Sequence, residues 1–130
     1  MYEITTTFTN VNDKTVRESY VLENATSFSD TEHNMYALRS DFPDFDVTAI
    51  KRSRIKEILN KRSSQIDLIW QAELMDMFVD EEGNEHPIKY KTLLFAETFD
   101  DAKVFVSEYI KQGYNLSLIS LKLTNFEDIL

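Results

Sequence analysis

A run of basic side chains between positions 51 and 62, the basic segment, is the part of the sequence best suited to binding chemistry. These positions hold six of the 14 basic residues and one acid, Glu57, although the whole chain has a formal charge of −9. The six are Lys51, Arg52, Arg54, Lys56, Lys61 and Arg62. Because Lys and Arg bind phosphate and carboxylate groups, we predict that this segment is the contact surface of the protein.

The basic segment has three interpretations. Its charges form a solvated face, contact a phosphate-bearing partner such as nucleic acid or a nucleotide, or dock onto an acidic patch of a second copy. Stacking on bases would favour aromatic side chains among the cations, and the segment contains none. The acidic balance of the chain argues against a protein that coats nucleic acid over its whole surface.

Several other kinds of chemistry are excluded by composition. Cysteine is absent, which removes disulfides, thiolate metal sites and cysteine nucleophiles. The glycines, Gly83 and Gly113, are too far apart for a phosphate-binding loop. His33 and His86 have no second ligand at helical spacing and are predicted to be surface residues. We expect no cofactor.

Asp44 and Asp46 are the pair of acids whose spacing suits a catalytic metal ion. On a strand both would project to one face, where two carboxylates can hold a hydrolytic metal. A strand-borne nuclease also requires an acid-x-Lys triplet on a neighbouring strand, and the triplet beginning at Asp101 is predicted to open a helix. A metal-dependent hydrolase is therefore a distant possibility, and we expect the chain not to be an enzyme.

The segments that must position these residues occur twice. "ATSFSD" at 25–30 aligns with "AETFDD" at 96–101, and "KEIL" ending at Leu59 aligns with "EDIL" ending at Leu130, both at an offset of 71. The constant offset predicts a tandem duplication. Its repeats are at about 1–59 and 68–130, joined by a polar link over 60–67.

Each repeat is predicted to contain two strands, a helix, a third strand and a short apolar tail. Alternating and apolar runs predict strands at 2–8, 15–23, 45–51, 68–79, 88–97 and 116–123. Ser27 and Thr98 begin the two helices as caps. Pro43 and a left-handed cap at Gly113 are expected to end them.

The predicted fold is α+β, a duplicated β-β-α-β unit with two helices packed on antiparallel sheet. A half of this size would be only marginally stable by itself, so we expect both halves to share one core in a single domain. Exposed sheet edges make a homodimer an expectation. Five aromatic residues on the strands are expected in the core, with a stacking platform as the alternative: Tyr2, Tyr20, Trp70, Tyr90 and Phe95.

The alignment separates scaffold residues from copy-specific charges in the basic segment. Lys51 aligns with Lys122, and the apolar residues of the tails also match. The cations Arg52, Arg54 and Lys56 align instead with Leu123, Asn125 and Glu127. The charge therefore belongs to one copy and is not required by the shared scaffold.

Three stretches carry a resemblance: "VTAIKRSRIKEIL", "IWQAELMDMFVDEEGNEHPIKYKTLLFAETFDDA" and "LKLTNFEDIL". The chain resembles an uncharacterised family, a domain of unknown function, of small proteins from Bacteroidales bacteria and their phages. The resemblance covers nearly the whole chain. It implies a phage or mobile-element origin and supplies no catalytic residue.

Taken together, these features predict a non-enzymatic accessory protein of phage type that binds a protein or nucleic-acid partner through the basic segment. The alternative is a small-molecule binder that sequesters a phosphorylated signal nucleotide in phage counter-defence. The N-terminal residues lack a signal-peptide pattern and no long apolar run occurs. We therefore expect a cytoplasmic protein without a membrane partner.

Overall fold

A computed structural model of the chain describes residues 1–39, 44–113 and 115–130. Two helices and eight strands lie in these ranges, which confirms the predicted α+β class. In chain order the elements are β1 (Tyr2–Thr9), β2 (Thr15–Leu22), α1 (Phe28–Arg39), β3 (Asp46–Arg52), β4 (Ile55–Ile58), β5 (Leu68–Val79), β6 (Glu85–Ala96), α2 (Phe99–Lys111), β7 (Leu116–Leu123) and β8 (Phe126–Ile129).

The chain divides into two compact units, and each contains one four-stranded sheet and one helix. Unit 1 comprises Met1–Ser53 with Asn125–Leu130, and unit 2 comprises Arg54–Thr124. The sheet of unit 1 has the strand order β3-β1-β2-β8, and the sheet of unit 2 has the order β4-β6-β5-β7. The last strand of each half of the chain therefore completes the sheet of the other half.

These two short strands are where the structure differs most from the sequence prediction. The segments predicted as apolar tails form β4 and β8. Each runs parallel to its neighbour, β4 beside β6 and β8 beside β2, so both sheets are mixed, whereas antiparallel sheet was predicted. The other pairs within the two sheets are antiparallel, as expected.

The hairpin that opens each half closes with the same turn. The side-chain Oδ1 of Asn10 accepts hydrogen bonds from the backbone N–H groups of Asn12 and Lys14, at 2.9 and 3.0 Å. Asp80 accepts from Glu82 and Asn84 in the same way, both at 2.9 Å. Asn and Asp favour such turns because their side chains bond the backbone a few residues ahead.

The fourth residue of each turn has a left-handed backbone. Asp13 has a φ of 58° and Gly83 has a φ of 81°. Strand β6 starts at Glu85, earlier than predicted, so the acidic turn is shorter than its sequence indicated.

Both helices begin at the predicted caps. The hydroxyl of Ser27 accepts from the backbone N–H of Asp30, and that of Thr98 accepts from Asp101, each at 3.1 Å. The predicted left-handed cap at Gly113 is wrong, because the left-handed residue after α2 is Asn115, with a φ of 62°. A Cβ at Gly113 would collide with the Leu116 side chain unless that side chain moved. The predicted stop at Pro43 lies outside the described residues.

Each unit has its own apolar core under its helix. In unit 1, α1 packs against β3 and β1, and the cluster consists of Ile4, Tyr20, Leu22 and Met35. In unit 2, α2 packs against β7 and β6. Its cluster consists of Trp70, Ala72, Leu74, Leu94, Ala96, Ala102 and Val106.

The first residue of each helix is held in the same way. Phe28 makes an edge-to-face contact with Tyr2, with ring centroids 5.2 Å apart. Phe99 makes the corresponding contact with Trp70, at 5.9 Å. The two units thus share element order, turns, caps and aromatic contacts. The duplication and the shared core remain predictions.

The core of unit 2 predicts the effect of a truncation. Leu74 is fully buried on β5. We expect Leu74→Ala to lower the free energy of unfolding by about 2–5 kcal/mol, because it leaves a cavity in a packed cluster. Ile119→Ala, on an exposed position of β7, should cost only about 0.5 kcal/mol. Urea denaturation of both variants checks this, and equal losses would contradict the assignment of Leu74 to the core.

Candidate functional site

The structure distributes the six predicted cations over the two units. Lys51 and Arg52 end β3 in unit 1. The other four belong to unit 2, where Arg54 precedes β4, Lys56 lies within it, and Lys61 and Arg62 follow it. The basic segment therefore spans the point at which the chain leaves one unit and enters the other.

Lys51 makes a weak ion pair within the sheet of unit 1. Its Nζ lies 3.9 Å from Oε1 of Glu3, the residue opposite it on β1. The Lys51 side chain is 74% exposed. At such exposure solvent screens most of the attraction, so the pair contributes little to stability.

Arg62 has a structural role in the connection between β4 and β5. Its Nη1 donates a 2.7 Å hydrogen bond to the backbone carbonyl of Asp67, and its guanidinium lies 4.8 Å from the centre of the Phe95 ring. The Asp67 carboxylate in turn accepts from the backbone N–H groups of Ser63 and Ser64. The Ser63 bond is the main reason that the pKa of Asp67 is lowered, and the charge of Arg62 adds to it.

Three of the cations have neither an acidic partner nor an aromatic contact in the described part of the chain. Arg52, Arg54 and Lys61 are all exposed, and none of the carboxylates described lies within 4.0 Å of them. Their charges are therefore not used to hold either unit together. They are the members of the predicted set that are available to a partner.

Lys56 belongs to a small cluster of polar and aromatic groups on the helix side of unit 2. Its Nζ lies 4.3 Å from the centre of the Tyr90 ring on β6, a cation–π contact. The next residue, Glu57, accepts a 2.7 Å hydrogen bond from the hydroxyl of Tyr109 on α2. Strand β4 is thus tied to both β6 and α2 by neighbouring side chains.

The electrostatics of this cluster favour neutral tyrosines beside the Glu57 carboxylate. The hydrogen bond to Glu57, together with burial, raises the pKa of Tyr109 to about 12. Burial, with the charges of Glu57 and Asp76, raises the pKa of Tyr90. Neither phenol supplies a proton acceptor near neutral pH. The arrangement suits binding and packing better than acid–base catalysis.

The shared strand face of Asp44 and Asp46, which the distant alternative of a metal-dependent hydrolase required, is not found. Asp44 precedes β3 in a turn with a φ of 53°, so the two acids do not share a strand face. Asp44 accepts a long hydrogen bond from Thr9, and Asp46 accepts one of 2.9 Å from the Tyr36 hydroxyl. Within residues 1–39, 44–113 and 115–130, no group of three acids or histidines is placed to hold a metal ion.

The strand aromatics do not form a stacking platform. Tyr2, Tyr20, Trp70 and Phe95 are buried, as the core interpretation predicted. Tyr90 is half-buried, and Lys56 lies against its ring. His86 is on the surface, as predicted, and its Nε2 pairs with Asp80 at 2.7 Å.

Sequence reasoning missed the contact between Glu57 and Tyr109. Glu57 was noted only as the single acid of the basic segment. The two residues are 52 positions apart. Nothing in the sequence near Tyr109 marks its hydroxyl as a donor to β4.

The fold and the site define an α+β protein with two mixed four-stranded sheets and a set of exposed cations that have no acidic partner among the residues that the structure describes. The chain belongs to the family described as Domain of unknown function (DUF4494), whose model matches residues 1–130. This confirms the family part of the resemblance. No curated protein and no solved structure matches the chain. Neither helix in the described ranges has the length and apolar character needed to cross a membrane.

The contact between Tyr109 and Glu57 predicts how stability changes with pH. Because the folded state raises the pKa of Tyr109 from 10.0 to about 12, the stabilisation is complete below pH 10 and is lost as the pH rises through about 12. We expect Tyr109→Phe to be less stable than the wild type by about 1 kcal/mol near pH 8.

Urea denaturation of wild type and variant at several pH values measures this difference. It should shrink steadily above about pH 10, because both proteins share every other titrating group. A difference that is constant to about pH 11.5 would contradict the role assigned to Glu57.

The neighbouring cations Lys61 and Arg62 should behave differently. We expect Arg62→Ala to lower the free energy of unfolding by about 1 kcal/mol, because it removes the bond to the Asp67 carbonyl and the contact with Phe95. Lys61→Ala, a matched charge removal one position away, should change it by less than about 0.5 kcal/mol. Thermal unfolding distinguishes the two, and a larger loss for Lys61 would overturn the structural role of Arg62.

Proposed function

We propose that this protein is a non-enzymatic binding module that contacts an acidic surface of a partner protein through Arg52, Arg54, Lys56 and Lys61. The observation that carries the proposal is that, within the described residues, none of these four cations has a carboxylate within 4.0 Å. In a chain with a net charge of −9, cations that lie this close together in the sequence attract anionic surfaces locally. Lys51 and Arg62, which are engaged within their own units, are not assigned to the surface.

The comparison between the two halves supports the choice of residues. Leu123, Asn125 and Glu127 align with Arg52, Arg54 and Lys56. We propose that the halves are diverged copies of one ancestral unit, and their shared turns, caps and aromatic contacts support this. The cations are then a feature that one copy acquired.

A protein partner is favoured over nucleic acid by the surroundings of the cations. Single-stranded nucleic acid is bound through cations together with aromatic rings that stack on bases. Of the five aromatic residues considered as a stacking platform, four are buried, and the fifth, Tyr90, carries Lys56 against its ring. The cations are therefore left with charge–charge contacts as their means of binding, and such contacts suit an acidic protein surface.

The proposal extends to origin and location. The resemblance to small proteins of Bacteroidales bacteria and their phages supports a phage or mobile-element accessory protein that acts in the cytoplasm. A homodimer in which the cations meet the acidic surface of a second copy is one form of the same contact.

The test measures binding to four labelled probes at low and high salt: an acidic peptide of Asp and Glu, single-stranded DNA, single-stranded RNA and a cyclic dinucleotide. The variant is Arg52→Leu, Arg54→Asn and Lys56→Glu, which copies the aligned residues of the second half. We expect the wild type to bind the acidic peptide and the variant to bind it about tenfold more weakly or worse.

The control has the same change of charge at exposed lysines elsewhere: Lys14→Leu, Lys103→Asn and Lys89→Glu. It should bind as the wild type does. A preference for DNA or RNA with a steep salt dependence would replace the proposal by nucleic-acid binding, and preference for the dinucleotide would replace it by nucleotide sequestration. Equal loss in variant and control, or no binding by the wild type, would refute it.

A further inference from the structure

Unit 1 has an open cleft beside its helix that the proposed function does not use. Helix α1 packs on β3 and β1, and the cleft lies between α1 and the strands β2 and β8. Its volume is about 370 Å³. It is lined by Leu22, Asn24, Ala25, Asn34, Ala37, Leu38 and Leu130. Leu38 is 57% exposed and Leu130 is 40% exposed, so large apolar side chains of the lining are open to solvent.

A second cleft of about 360 Å³ adjoins the first and shares Leu38 and Leu130 with it. Its other lining residues are Glu18, Tyr20, Glu127 and Asp128. Within the described residues, no Lys or Arg lies within 4.0 Å of the carboxylates of Glu18 and Glu127. We call the two clefts together the acidic groove. One end of it is apolar and the other is negatively charged.

The equivalent place in unit 2 is defined by strand register. Tyr20 pairs with Asp128 and Val21 with Ile129 in unit 1, as Thr92 pairs with Glu57 and Leu93 with Ile58 in unit 2. The next backbone bond also matches, because Leu130 donates to Val21 and Leu59 donates to Leu93. The same framework therefore surrounds the groove and its counterpart.

In unit 2 this place is filled by the side chains of the unit itself. Phe105 and Tyr109 stand where α1 has Asn34 and Leu38, and both pack against the core of unit 2. The space between the helix and the outer strand of this framework can thus hold one or two aromatic side chains. Unit 1 has the framework without the filling.

The side chains at the rim of this space also differ between the two units in their charge. In unit 2, the register places Lys56 and Tyr90 at the positions that Glu127 and Glu18 occupy in unit 1. Lys56 lies over the Tyr90 ring there, a cation beside an aromatic group. In unit 1, two carboxylates take these positions, so a cation from outside the unit would be attracted to the same place.

We propose that the acidic groove binds a peptide segment of a partner protein in which an aromatic or large aliphatic side chain stands next to Lys or Arg. The apolar side chain enters the end lined by Leu38 and Leu130, and the cation meets Glu18 and Glu127. The two clefts form an elongated site along β8, which is the margin of its sheet, and an extended peptide suits such a margin. This site differs from the basic surface in position and in the sign of its charge.

The test uses three labelled ten-residue peptides that alternate Lys with Leu, Lys with Ser, and Glu with Leu. Fluorescence anisotropy measures their binding to the full chain. The Lys-Leu peptide should bind, and the other two should bind about tenfold more weakly or worse, since each lacks one of the two required groups.

The decisive variant fills the groove as unit 2 does, with Asn34→Phe and Leu38→Tyr. We expect it to bind the Lys-Leu peptide about tenfold more weakly or worse. The matched control is Ser29→Phe with His33→Tyr, which places the same residues at the same spacing on exposed positions of α1 outside the groove. Circular dichroism checks that both variants are folded.

A second variant, Glu18→Gln with Glu127→Gln, leaves the apolar lining intact and should weaken binding and its salt dependence. It keeps the proposal testable if the filled variant does not fold. Binding by the filled variant equal to that of the wild type, or no binding of the Lys-Leu peptide by the wild type, would overturn the proposal. Changes at Arg52, Arg54 and Lys56 should leave this binding intact, so the two proposals fail separately.

Discussion

The pairing of each terminal strand with the sheet of the other half is the constraint on which the rest of the structure depends. Strand β8 joins β2, and Leu130 donates a 2.7 Å hydrogen bond to the carbonyl of Val21. Strand β4 joins β6, and Leu59 donates to Leu93 at 2.8 Å. The chain must therefore cross between units twice, after Ser53 and after Thr124. The first crossing runs through the basic segment, where the backbone makes the connection while five of the six cations remain exposed.

One framework with two sets of side chains explains how a small chain can carry surfaces of opposite charge. The turns, caps and strand pairs are matched in the two units, so differences between them are differences of side chain. Unit 2 fills the space between its helix and its outer strand with Phe105 and Tyr109, and the Tyr109 hydroxyl donates to Glu57 on that strand. Unit 1 leaves that space open and acidic. Two surfaces of opposite charge would favour different partners, which is consistent with the binding function proposed above.

The sequence predicted the elements whose signals are local. Alternation identified the hairpin strands, and Ser27 and Thr98 identified the helix starts, because caps and strand faces depend on residues a few positions apart. The pairing of β4 and β8 was missed because their partners are far along the chain. Gly113 does not have the left-handed backbone that was expected of it, and its close approach to the Leu116 side chain could not be read from the sequence. Within the basic segment, sequence alone could not separate Arg62, which bonds the Asp67 carbonyl, from its exposed neighbours.

The most direct test of the account is a solution NMR measurement of which strands the two short segments join. If each short strand joins the sheet of the other half, proton–proton contacts should link Ile58 to Leu93 and Ile129 to Val21. The amides of Leu59 and Leu130 should then be protected from hydrogen exchange. If each segment instead stayed with its own half, contacts would link Ile58 to Val21 and Ile129 to Leu93. That result would contradict the division into two units, the equivalence of the groove and its filled counterpart, and the placement of the cations at a crossing.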